Sequence, residues 1–167
     1  MQAEVSHNLP HNPNKDKPSR RFNKYYKRLA ADLTRLSRRH KQKITLTTKA
    51  TRDTGSYASY VHDFHCTNGA YHSEVRTADT WSLKTGRQVP LKALFKKHAA
   101  VKKHLTNAAL HQLNPAENQR KQIKRNIKRA IDIKKFYLTP DAIVLMISNH
   151  RVFTIPYAQL PVHAHAD

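Results

Sequence analysis

Residues 71–95, YHSEVRTADTWSLKTGRQVPLKALF, constrain the fold more than any other stretch of the chain. Val75, Thr77, Asp79, Trp81 and Leu83 alternate with polar neighbours, the period of a strand with one buried side. Lys84-Thr85-Gly86-Arg87 then reads as a tight turn, with Gly86 at the position where positive φ is least costly. A short return strand over 87–89 runs into Pro90 and the apolar trio Leu91, Leu94 and Phe95. That spacing changes the period from 2 to 3.6 and predicts that a helix begins here.

Punctuation of this kind divides the rest of the chain. Residues 1–18 hold only Val5 and Leu9 as aliphatics and read as a disordered tail or linker. A helix is predicted over 19–40, with Ser19 as N-cap and Phe22, Tyr25, Tyr26, Leu29, Leu33 and Leu36 on one core-facing side. Strands follow over 43–51 and 57–66, separated by a turn at Gly55. An Asn68-Gly69 hairpin leads into the strand of the opening stretch. After Phe95, Val101, Leu105, Ala109 and Leu113 form one row of a helix. Asn114-Pro115-Ala116-Glu117 restarts the chain with a cap, a proline at the first helical position and a capping-box glutamate. The next helix has Ile123, Ile127 and Ile131 as its apolar seam, and apolar strands over 136–139, 142–148 and 151–155 close the domain before a polar tail at 161–167. The expectation is one α+β domain over 19–160, an antiparallel sheet packed by one N-terminal helix and two central helices.

Where chemistry is concerned, charge dominates. The chain of 167 residues carries a formal net charge of +20, with 31 Lys and Arg against 11 Asp and Glu. Fourteen of the basic residues lie in 15–52 and twelve in 96–135, so the charge is clustered on the predicted helices. Such clusters attract anionic partners: nucleic acid, anionic lipid or an anionic wall polymer. The candidate polyanion-binding residues are Arg28, Arg35 and Arg39 on the first helix, and Arg120, Lys121, Lys124, Arg125 and Lys128 on the third. Solvated helix faces usually mix signs, and these stripes read as unmixed. Sequence-specific base reading would need exposed aromatics or a recognition motif, and Tyr25 and Tyr26 read as core.

His62-Asp63-Phe64-His65-Cys66 is the one cluster with metal-ligand residue types. On a strand, His62 and Cys66 share one side while Asp63 and His65 share the other, so three ligands would require His72 or Asp79 from the neighbouring strand. A half-buried strand with Cys66 in the core explains the cluster better, and neither a metal nor another cofactor is expected. Asp63, Glu74 and Asp79 read as partners of nearby cations rather than as an acid–base pair. No phosphate-binding glycine loop, dinucleotide fingerprint or zinc-protease helix occurs, and no catalytic residue is expected. A single cysteine excludes an internal disulfide. The first ten residues contain no apolar run of the kind a secretory signal requires, which leaves the compartment open.

Several of these segments, in this order, resemble one family. They are Gly69-Ala70-Tyr71-His72, Trp81-Ser82-Leu83-Lys84-Thr85-Gly86-Arg87, Pro90-Leu91-Lys92-Ala93-Leu94-Phe95, the run 136–144 (FYLTPDAIV) and the run 155–160 (IPYAQL). From about Phe22 to Leu160 the chain is similar to RsiV-like extracytoplasmic domains. These are the ectodomain of lysozyme-sensing anti-sigma factors and the non-catalytic domain preceding some peptidoglycan deacetylases. The resemblance implies an α+β fold at the outer face of a bacterial, Gram-positive-type cell, and no catalytic residue. Lysozyme itself is a poor candidate partner, because two strongly cationic surfaces repel. The expectation is a non-enzymatic, extracytoplasmic binding domain for anionic wall polymer or an anionic lipid surface. The alternative is a cytosolic, sequence-independent nucleic-acid-binding protein.

Overall fold

The computed structural model describes residues 3–95, 98–132, 136–148 and 151–160. Its elements are β1 (Glu4–His7), α1 (Lys17–His40), β2 (Lys43–Thr54), β3 (Tyr57–Asn68), β4 (Tyr71–Ser82), β5 (Arg87–Gln88), a 3-10 turn at Leu91–Leu94, α2 (His98–Leu113), α3 (Glu117–Asp132), β6 (Phe136–Leu138), β7 (Ala142–Ser148), β8 (Arg151–Pro156) and a final 3-10 turn at Tyr157–Gln159. The strands form two ladders, β1-β2-β3-β4-β5 and β6-β7-β8. The fold is α+β and mostly antiparallel.

The long meander β2-β3-β4 follows from its turns. Gly55 and Gly69 sit at φ +73° and +60°, which L side chains resist, and each reverses the chain between twelve-residue strands. Thr51 is an extra residue in β2, bulged between Ala50 and Arg52. Its hydroxyl lies 2.8 Å from the Leu138 carbonyl oxygen of β6 and 3.2 Å from that of Ser59. The Leu138 N–H in turn donates to the Ser59 hydroxyl at 3.1 Å. These contacts dock the small ladder on the large one.

Two local expectations are corrected. Residues 4–7, expected within a disordered tail, form β1, which pairs in parallel with residues 43–46 of β2. Asn8 continues that edge, its side chain donating to the Thr48 carbonyl and accepting from the Thr48 N–H. The N-cap of α1 is Asp16, not Ser19: the Asp16 carboxylate accepts the Ser19 N–H at 2.7 Å. The Ser19 hydroxyl first, and that backbone bond second, hold the Asp16 carboxyl below its ordinary range. The tail at 161–167 lies outside the described residues.

The core among the described residues has three parts. Phe22 and Tyr26 of α1 pack with Ala58, Tyr60 and Trp81, and Leu33 packs with Ile44 and Leu46. The largest part lies between the small ladder and the α2–α3 hairpin, built from Leu91, Leu94, Phe95, Leu105, Ile127, Phe136, Leu145, Ile155 and their neighbours. Tyr25 and Leu36, expected in the core, are 39% and 42% exposed. Tyr25 nevertheless meets the Trp81 ring edge-on at 4.9 Å. The helix expected to start at Leu91 is a single 3-10 turn. Phe95 returns to extended backbone and α2 begins at His98.

Candidate polyanion site

Ile127 fixes the geometry of α3. It is fully buried under the small ladder, while Ile123 packs at the margin. With 3.6 residues per turn, Lys124 and Lys128 fall roughly 60° and 100° round the axis from Ile127, on one flank of the helix. α2 lies along that flank. Leu105 and Ala109 turn its other side into the core, and the Thr106 hydroxyl donates back to the Lys102 carbonyl at 2.7 Å. The two helices leave between them a cleft of about 320 Å³, lined by Lys102, Lys103, Thr106, Asn107, Lys124 and Lys128. Among the described residues, six line it, of which four are lysines and none is acidic.

Of the residues singled out from sequence, Lys124 and Lys128 therefore lie in a shared cleft, while Arg120, Lys121 and Arg125 are exposed on α3 but do not line it. The α1 stripe behaves differently. Asp32 lies between Arg28 and Arg35, with carboxylate oxygens 4.0 Å from the first and 3.3 Å from the second. The expectation of an uninterrupted cationic face on α1 is thus corrected: a carboxylate partly neutralises it. Arg39 is exposed in the last turn of α1, where basic side chains complement the helix dipole. Lys102 and Lys103 do not stand out in sequence, because α2 mixes Ala, Thr, Asn and His on every side and carries no continuous basic stripe. Their adjacency just before Leu105 is the only local signal.

The His62–Cys66 cluster forms no convergent site. His62 is buried, its Nδ1 sharing a 2.9 Å hydrogen bond with the Thr48 hydroxyl. Its Nε2 is 3.2 Å from an Asp79 oxygen but off the axis a hydrogen bond needs. The Tyr26 hydroxyl donates to the Asp79 carboxylate, at 3.0 Å from each oxygen, and accepts the Trp81 indole N–H at 3.2 Å. Burial first, and the Asp79 charge second, push the Tyr26 phenol far above its ordinary value, so it remains a donor. On the opposite side of the sheet, Asp63 accepts two bonds from Arg76, at 2.6 and 3.0 Å, and His65 lies 3.2 Å from Glu74. Burial raises the Cys66 thiol, which disfavours the thiolate. Among the described residues, no three His, Cys, Asp or Glu side chains are grouped as a metal would require.

No protein-family model and no curated protein matches the sequence. Solved structures do. The fold is shared with DUF3298 family proteins. One, from Pseudomonas aeruginosa PAO1, superposes with a TM-score of 0.57 over 96% of this chain and 86% of its own, at 13% identity. Another, from Bacteroides fragilis NCTC 9343, gives 0.52 over 89% and 72%, at 15% identity. At these identities the likeness concerns the fold.

Proposed function

We propose that this chain is a non-enzymatic binding domain of the bacterial cell envelope, of the RsiV-like kind, acting outside the cytoplasm on an anionic wall polymer or an anionic membrane surface. The observation that carries this reading is the cleft between α2 and α3, with four lysines and no carboxylate among the described residues of its lining. A fold in common with DUF3298 proteins, to which RsiV-like domains are related, supports the family side of it. Two side chains with catalytic potential, His62 and Asp79, are 3% and 8% exposed and serve the core. Among the described residues no helix is long and apolar enough to cross a membrane.

Isolated cell walls provide the test. Each phosphate neutralised on a flexible strand contributes about −0.7 to the slope of log affinity against log salt, so four engaged lysines predict a slope near −3 and roughly a 50-fold loss between 50 and 200 mM salt. Stripping the phosphate polymers from the walls should abolish the binding. Binding that ignores both salt and stripping refutes the proposal. Retention of duplex DNA at physiological salt, without retention on walls, would replace it with the cytosolic nucleic-acid reading.

A further inference from the structure

A cleft and a flat charged patch select different anions. A bilayer presents a plane of headgroups, which touches the rim of a concave site but does not enter it. A nucleic-acid strand brings bases that need aromatic faces to stack on, and among the described residues no aromatic ring lines this cleft. A thin, base-free chain has neither problem. On the α3 wall, Lys124 and Lys128 are one turn apart, about 6 Å along the axis. When a three-carbon link joins successive phosphates, six bonds of about 1.5 Å each put the phosphorus atoms roughly 6–7 Å apart. The axial rise between these two lysines thus matches the spacing of two consecutive phosphates of one strand, and Lys103 closes on the same strand from α2.

We infer that the α2–α3 cleft is a discrete site for a linear polyol-phosphate chain, gripping two successive phosphodiesters between the lysines of its two walls. This rests on the proposed reading of the domain as a binder of envelope polyanions and narrows it to one occupant and one site. Lysine suits the task because its ammonium group is a point charge with three donors, tolerant of a flexible strand.

The probes are short poly(glycerol phosphate) oligomers, oligothymidylate of equal charge, and phosphatidylglycerol vesicles, titrated against the intact chain. K124Q/K128Q should weaken the oligomer roughly 10-fold at physiological salt and flatten the salt slope by about 1.4. K24Q/K27Q, an equal loss of charge at two exposed lysines of α1, should change binding less than 2-fold. K124R/K128R should retain it. If both glutamine pairs cost the same, the site is not discrete: this inference fails while the broader reading stands. Tighter binding to oligothymidylate or to vesicles than to the oligomer also overturns it. If wild-type protein binds neither oligomer nor walls nor vesicles, the broader reading itself falls.

Discussion

The turn at Gly86 and the first turn of α1 approach so closely that neither leaves room for a side chain. A Cβ at Gly86 would lie 2.6 Å from the Cα and carbonyl carbon of Pro18, and nearer still to its oxygen. The backbone there is also at φ +63°. Gly69, in the β3–β4 hairpin, has nearly the same φ, +60°, but a Cβ there would meet nothing within 4 Å. The pair separates two costs. Gly69→Ala should incur the left-handed penalty alone, about 1 kcal/mol. Gly86→Ala should add the displacement of the helix start that carries Phe22 and Tyr26 into the core, an overpacking cost of about 2 kcal/mol. The total of about 3 kcal/mol corresponds to a fall in melting temperature of roughly 6–12 °C for a chain of this size, against roughly 2–4 °C for Gly69→Ala. Urea unfolding followed by tryptophan fluorescence is well placed to check this, because Trp81 packs edge-on against Phe22 at 5.1 Å. Equal destabilisation by the two substitutions would refute the idea that α1 is seated on this turn.

Three further outcomes follow from the core and the sheet. Tyr26→Phe removes the donor to Asp79 and the acceptor for Trp81, so it should cost about 2–4 kcal/mol in urea unfolding; a loss below about 0.5 kcal/mol, less than one ordinary hydrogen bond, would mean the network is idle. Arg76 holds the Asp63 carboxyl below its ordinary 3.8, so that pair stabilises the fold above about pH 4 and its contribution is lost as the pH falls through the lowered value; in acid melts, Arg76→Gln should flatten this part of the pH dependence. Burial pushes Tyr60 up to about 12, so stability should fall as the pH rises from about 10 towards 12. Tyrosine absorbance should then report its ionisation together with unfolding, and a free titration near pH 10 would contradict the buried placement.

Legibility in the sequence followed the range of the interactions. The three glycines mark the turns because positive φ is a local demand. The α1 period is legible because one helix repeats its own pattern, although the N-cap falls three residues early at Asp16. β1 is not legible: Glu-Val-Ser-His has one aliphatic residue, and its partner strand begins only at Lys43, beyond the whole of α1. Nor does Asn114 show its actual use. Expected as the N-cap of the next helix, at φ 39° it instead closes α2 by donating its N–H to the Leu110 carbonyl, and α3 begins only at Glu117. The candidate site is half legible. Lys124 and Lys128 stand out on a basic helix, but a cleft needs two helices, and the lysines of α2 gain their place only from the packing of Leu105 and Ile127.

The bulge at Thr51 has a consequence for how the domain comes apart. Both backbone polar groups of Leu138 are satisfied by side chains of the other ladder, its N–H by Ser59 and its carbonyl by Thr51. A fully buried amide held in this way has no private route to solvent. Its hydrogen exchange should require the two ladders to separate, so its protection should approach that of the whole domain. The lysine-lined half would then lack an independent melting transition, and its rigidity would be set in part by a threonine hydroxyl far upstream of α3, in a strand that never touches the cleft.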